Sequence, residues 1–287
     1  MWESTLTVAL VSEVFYQDDG PARLDSRLAE ARERGAQLAV LPEISHCRWA
    51  PSKRVPSEAD AEPPGGPRHQ ELARAARKAG IGLVGGCIVQ NPQTGVRHNN
   101  SLVFDADGRL IATYQKLHIP DEPGFWESDH YAAGTEPPRP IDAFGMPFGL
   151  QICSDNNRPE GSHLLGAMGA EAIIVPRATE LVTYPRWQVV FRANALTSTA
   201  YVLSVNRPSP EDGVLIGGPS VVVDPEGRVL VETIDAVAVA RLSRDAVRSA
   251  RVHYPGYLAV HADLYARAWA EVAATASSTL SRTGTVT

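Results

Sequence analysis

Short apolar runs and longer mixed segments take turns along this chain, and their periods predict strands alternating with helices. Strands are expected near 5–12, 37–41, 81–90 and 98–105, with helices near 22–34 (ARLDSRLAEARERG) and 69–79 (HQELARAARKAG) between them. Gly35 and Gly80 fall where those helices should stop. The turn NPQTG joins two of the strands as a hairpin, and DADGR leads into a further strand that alternates from Leu110 to Tyr114. The second half repeats the theme: strands near 147–152, 171–175, 201–206, 219–224, 228–232 and 235–242, helices near 159–169 and 185–199, and the turn DPEG. This mixed order predicts two sheets with helices outside them. Residues 50–67, rich in proline and containing the Gly65-Gly66 pair, read as a long loop able to cover a pocket mouth. The small polar residues 277–287 read as a loose, flexible C-terminal tail.

Three of the predicted strands end on residues that carry chemistry. In ICSDNNRPE, residues 152–160, an apolar run delivers Cys153 into a turn, and Asn156, Asn157 and Pro159 read as the turn and helix entry. The positive end of the following helix would favour thiolate and lower the thiol pKa. Taken alone, the same segment also fits a small buried hydrophobe, the commoner state of a lone intracellular cysteine. In AVLPEIS, residues 39–45, Glu43 follows Pro42, which cannot continue a central strand. In YQKLHIP, residues 114–120, Lys116 leaves the end of its strand in the same way. Each partner has a plain alternative: Glu43 a cap on a turn, Lys116 a solvated residue, Glu127 a position on an exposed loop rich in Pro and Gly. His118 offers the imidazole of a Cys/His pair, although two residues from Lys116 a helper role fits better.

Glu43 in LPE, Lys116 in YQKLHIP, Cys153 in ICSD and the Pro159-Glu160 pair resemble, in order and context, the carbon–nitrogen hydrolase or nitrilase superfamily with its Glu-Lys-Cys triad. PGFWESDHYAAG, residues 123–134, adds Glu127 at a second glutamate that the family holds beside the triad. The resemblance runs from about residue 5 to about residue 270. It implies a four-layer αββα sandwich as one domain over residues 1–276, and a homodimer or higher homo-oligomer.

Amide cleavage needs a nucleophile, a proton carrier for the leaving amine, and donors for the oxygen that becomes negative. Cys153 would form a thioester, Glu43 would take and return the proton and then activate water, and Lys116 with the backbone N–H of Ser154 would face the oxyanion. Glu127 would hold Lys116 and the amide in register, or act as a second proton carrier. The chain departs from the family pattern at Ser154 and Arg158, where aromatics are usual. Arg158 or Arg177 could then bind a substrate carboxylate, or Arg177 could pair with Glu180. His118 and Trp126 complete the substrate-binding candidates. Small amides and N-carbamoyl compounds are the expected substrates. A nitrilase is disfavoured by Ser154 in place of tryptophan, and acyl transfer, a silent scaffold and a Cys153 redox sensor remain as alternatives.

Composition narrows the setting. The 287 residues, 44% hydrophobic, suffice for a sizeable core. The formal net charge of −6, with scattered basic residues, argues against a nucleic-acid partner. Three cysteines at unrelated spacings supply no disulfide framework and imply a reducing, cytoplasmic setting. The histidines show no metal-ligand spacing, so neither a metal nor a cofactor is expected. The N-terminal run LTVALV is too short for a signal peptide or a membrane span.

Overall fold

The computed structural model describes residues 5–283, with side chains through residue 275. The first half contains β1 (Thr5–Val11), α1 (Gly20–Glu33), β2 (Leu38–Val40), β3 (Ala61–Glu62), α2 (Pro67–Ala79), β4 (Gly82–Gln90), β5 (Arg97–Phe104) and β6 (Leu110–Gln115). The second half contains β7 (Ile141–Ala143), β8 (Met146–Leu150), α3 (Pro159–Ala167), β9 (Ala172–Arg177), α4 (Tyr184–Ser198), β10 (Tyr201–Asn206), β11 (Ser220–Val223), β12 (Val229–Thr233), β13 (Val237–Ser243) and α5 (Arg244–Val252).

These strands form two sheets. One has the order β13-β1-β2-β4-β5-β6, with β3 added beside β4; the other has the order β12-β11-β10-β9-β8-β7. Each sheet has a parallel centre and antiparallel flanks. Val8 pairs in parallel with Leu38, and Leu38 with Gly82; in the second sheet Phe148 pairs in parallel with Ala172, and Tyr201 with Ala172. β13 runs antiparallel to β1, so the last strand in sequence pairs with the first.

Side-chain alternation sets the layers, because successive residues of a strand face opposite sides. From β1, Leu6, Val8 and Leu10 join Val40 and Val84 in one core with Phe148, Leu150, Ala172 and Ile174 of the other sheet. Ala9 and Val11 turn the other way and pack with Leu24 and Leu28 of α1 and Leu72 of α2. Leu165 of α3 and Phe191 of α4 cover the outer face of the second sheet. The result is the αββα sandwich expected. Gly35 and Gly80 follow α1 and α2 at φ +85° and +66°, the left-handed conformation in which glycine ends helices without strain.

Residues 50–67 are more ordered than a long loop. Short 3₁₀ turns cover Ala50–Ser52 and Glu58–Asp60, and β3 pairs with β4 through Ala61 and Ile88. Ser57 and Asp60 supply the order: the Ser57 hydroxyl accepts from Ala59 N at 3.2 Å, and the Asp60 carboxylate accepts from Ser57 N at 2.7 Å. α5, not anticipated, buries Val247 and Ala250.

The chain divides into compact units over residues 1–256 and 257–287. The first therefore closes short of the boundary drawn at residue 276. Every side chain described from Tyr257 to Thr275 is exposed, so these residues add nothing to a buried core. The second unit carries α6 (Ala262–Thr283), and residues 277–283, expected to be loose, form its last turns. Residues 284–287 lie outside the described residues. No helix among the described residues is long and apolar enough to cross a membrane.

Candidate active site

β8 ends at Leu150, and three residues later Cys153 takes φ 47° at the start of a 3₁₀ turn, Cys153–Asn157, that leads into α3. A left-handed φ is uncommon away from glycine and persists only where surroundings enforce it. Asp155 does much of the enforcing. Its carboxylate accepts from Ile152 N (3.0 Å), Tyr114 Oη (2.9 Å), Leu117 N (3.1 Å), His118 N (2.8 Å) and His118 Nδ1 (2.9 Å). It thereby ties the cysteine turn to the segment just after Lys116. Asn194 of α4 donates to Asn156 O at 2.7 Å, and Asn156 Nδ2 to Gln151 Oε1 at 2.7 Å.

Glu43 lies in the loop that follows β2, and a fully buried guanidinium holds that loop. Arg207 donates to Glu43 O (2.9 Å), Ile44 O (3.0 Å) and Cys47 O (2.9 Å), and its charge is matched by Glu211 at 2.6 Å. Lys116, fully buried just beyond β6, donates from Nζ to Glu43 Oε1 at 2.8 Å and to Glu127 Oε2. Asn99 Nδ2 donates to Glu43 Oε1 at 2.8 Å, and Tyr131 Oη donates to Glu127 Oε2. Each carboxylate thus spends one oxygen on Lys116. The other oxygens, Glu43 Oε2 and Glu127 Oε1, are buried without a partner. Buried polar atoms are nearly always paired, so two orphans in one cluster mark a place where a ligand completes the bonding.

The electrostatics follow from this packing. Burial acts to push the Lys116 amine down, but the Glu127 and Glu43 carboxylates outweigh it and hold the amine above its usual range. Burial, opposed by Lys116 and reinforced by Glu43, pushes Glu127 up to about 7. Burial also holds the Cys153 thiol well above its usual pKa, with Glu43 adding to the effect. This corrects the expectation of a lowered thiol pKa: desolvation and two nearby carboxylates exceed what a short helical turn supplies. The Cys153 Sγ is directed at Ala178 O at 3.8 Å.

A cavity of about 250 Å³ opens over Cys153, lined also by Ser154, Glu127, Phe125, Thr179, Glu180, Arg186 and Trp187. Of the substrate-binding candidates, Glu180 lies in this wall and the others do not. Arg177 is fully buried, donating to Ser204 Oγ at 2.9 Å, to Thr179 Oγ1 and to Pro219 O, so each of its three nitrogens is already engaged and the residue does not line the cavity. Burial lowers its pKa to about 10. No ion pair joins it to Glu180, whose side chain faces the cavity. Arg158 is exposed at the start of α3, outside the cavity lining. Trp126 points elsewhere, with Arg54 stacked 3.5 Å over its ring, and Phe125 takes the wall position. His118 is spent on Asp155, as a positioning group. No residue of 50–67 lines the cavity.

One buried cluster, Glu62, His69 and Cys87, does bring three metal-type donors together. Sequence spacing hid it. Glu62 accepts from Arg68 N (2.8 Å), His69 N (3.0 Å) and His69 Nδ1 (2.7 Å), so its oxygens already cap the start of α2.

A cysteine beside a lysine that bridges two carboxylates, each with an oxygen to spare, defines a thiol-dependent hydrolase of carbon–nitrogen bonds. The carbon-nitrogen hydrolase family model matches residues 13–252, and the chain belongs to that family. Human omega-amidase NIT2 is 30% identical over 263 residues, covering 87% of this chain and 92% of that protein. The crystal structure of Saccharomyces cerevisiae Nit3, a member of branch 10 of the nitrilase superfamily, superposes with a TM-score of 0.74 at 28% identity, covering 88% of this chain and 95% of that one. A variant of the amidase from Nesterenkonia sp. AN1, whose active-site cysteine carries the acetamide moiety of fluoroacetamide, superposes with a TM-score of 0.74 at 26% identity, over 92% of this chain and 97% of that one. The chain is an amide hydrolase working through a covalent intermediate on cysteine.

Proposed function

We propose that the protein hydrolyses the primary amide of a small molecule, with Cys153 as nucleophile, Glu43 as general base and Lys116 as the fixed cation beside the oxyanion. The observation that carries this reading is the pair of buried, unpartnered oxygens on the two carboxylates that share Lys116. Glu43 Oε2 is free to take the Cys153 proton as sulfur attacks the amide carbon. The tetrahedral oxyanion is then opposed by Lys116 and the backbone N–H of Ser154. Glu43 returns the proton to the departing nitrogen, ammonia leaves, and a thioester remains. Water, deprotonated by Glu43, releases the acid and restores the thiol. Glu127 Oε1 is left to orient the amide nitrogen or share in proton transfer, and a pKa near 7 suits either state.

The cavity favours small substrates, because about 250 Å³ lies below the usual range of about 300–1,000 Å³ for ligand pockets. The three free cysteines suit a reducing cytoplasm, and a homodimer is the assembly we assign to it. The test is ammonia release from primary amides, N-carbamoyl amino acids and nitriles by wild type and Cys153→Ala. Cys153-dependent ammonia with carboxylic acid, and an acyl mass added to Cys153 on rapid quench, is the expected result. Carbon dioxide release would instead indicate an N-carbamoyl substrate, and turnover that survives Cys153→Ala would refute the assignment.

A further inference from the structure

The cations of the catalytic cluster and of the core are committed: Lys116 to two carboxylates, Arg177 to three oxygen acceptors. Arg186, on the first turn of α4, differs. It is the one basic side chain lining the cavity, and among the described residues its guanidinium joins no hydrogen bond or ion pair. Besides Glu127, which is held by Lys116 and Tyr131, two carboxylates share the wall with it, Glu122 and Glu180, and among the described residues neither side chain joins a hydrogen bond or ion pair. Three uncommitted charged groups of both signs therefore line one small cavity without pairing with one another. Unpaired charges of opposite sign that remain apart suit a ligand that spans them.

From this arrangement we infer that the cavity selects a zwitterion, the side-chain amide of an α-amino acid, with its α-carboxylate on Arg186 and its α-ammonium between Glu180 and Glu122. The inference rests on the amidase reading of the Cys153 site. An anionic monoamide would gain Arg186 but face two carboxylates of like charge, and a cationic amide would leave Arg186 unmatched. A neutral amide would leave all three groups unmatched. A planar guanidinium accepts a carboxylate through two parallel hydrogen bonds, which also fixes the direction in which the amide end points toward Cys153. Hydrolysis consumes water, releases ammonia and leaves an amino dicarboxylate.

The test uses four amides built on one butyramide skeleton that differ only in the groups on C4: glutamine, glutaramate, γ-aminobutyramide and butyramide. Steady-state kcat/KM is measured for wild type, R186Q and the double variant E122Q/E180Q, with the asparagine-length set run alongside. Wild type should prefer the zwitterion at one of the two lengths. In R186Q the ratio of kcat/KM for glutamine to that for butyramide should fall about tenfold, the equivalent of one charge-assisted hydrogen bond at a partly solvated site. The ratio for glutaramate to butyramide should fall with it, while the double variant should lower the ratios for glutamine and γ-aminobutyramide. R186K, which keeps the charge and loses the fork, should fall between. Ratios that do not move in either variant, or a wild type that favours glutaramate over glutamine, would overturn the inference and leave the amidase reading standing. Absence of Cys153-dependent turnover for all amides would overturn both.

Discussion

Replacing Lys116 with methionine isolates what the shared cation contributes. The substitution keeps the length of the side chain and removes the one positive charge that Glu43 and Glu127 both bind, leaving two fully buried carboxylates facing each other. Breaking a buried ion pair by deleting one partner costs about 3–5 kcal/mol. At about 2–4 °C per kcal/mol for a domain of this size, Tm should fall by about 10 °C near neutral pH. The pH dependence separates a charge effect from a packing defect. Glu127 stands at about 7 while Lys116 pulls it down, so without Lys116 its pKa rises further. A carboxyl whose folded pKa lies above its unfolded value binds protons more tightly when folded. The stabilisation from that protonation is complete below the unfolded pKa and is lost as pH rises through the folded pKa. The deficit of Lys116→Met relative to wild type should therefore widen from pH 5 to pH 8. Thermal melts of both proteins across that window measure it, and a Tm difference independent of pH would refute the shared-charge account. Activity should drop by at least about 100-fold, since the proposed oxyanion donor is lost as well.

Three further outcomes follow from the same geometry. Glu127→Gln should flatten any inflection near pH 7 in the pH profile of kcat/KM, and an inflection that persists there would assign the titration to another group. Arg177→Met should destabilise the fold by about 3 kcal/mol in chemical denaturation, because three buried acceptors lose their donor; its relative rates on charged and neutral amides should match those of wild type, and a selective loss on acidic substrates would revive a carboxylate-binding role. Cys153 should alkylate slowly with iodoacetamide at pH 7, where burial keeps it a thiol, and fast labelling would show a thiolate in the resting enzyme.

Glu43, Lys116 and Cys153 were legible because each follows an apolar run that ends abruptly, and their order matches a known family. Glu127 was legible only through the resemblance, since nothing in its Pro- and Gly-rich surroundings announces a buried carboxylate. Asn99, Tyr131 and Arg207 were not legible at all. Arg207 reaches the Glu43 loop across 164 residues, and Asn99 reaches Glu43 across 56, so local pattern holds no trace of either contact. Arg177 misled for a related reason. An arginine at the end of a strand beside the site reads as a ligand-binding group until its acceptors are in view, two of which, Ser204 and Pro219, lie 27 and 42 residues along the chain. The thiol pKa failed in the same way: a helix start is visible in sequence, whereas two carboxylates brought in from distant loops are not.

Charge conservation explains why this cluster favours a base-assisted attack over a preformed thiolate. With Glu43 and Glu127 ionised and Lys116 protonated, the buried cluster carries a single net negative charge. Moving the Cys153 proton to Glu43 before attack would place that charge on sulfur, away from the lysine that Glu43 touches at 2.8 Å, in surroundings where burial already disfavours it. If the proton moves as the S–C bond forms, the charge passes from Glu43 to the amide oxygen instead, and both positions are close to Lys116 in the proposed mechanism. No step then adds charge to a buried site, and in this mechanism Lys116 need not move to serve both. In the same proposal Glu127, which shares Lys116 and can be protonated near neutral pH, sets how much of that cation is left for the oxyanion.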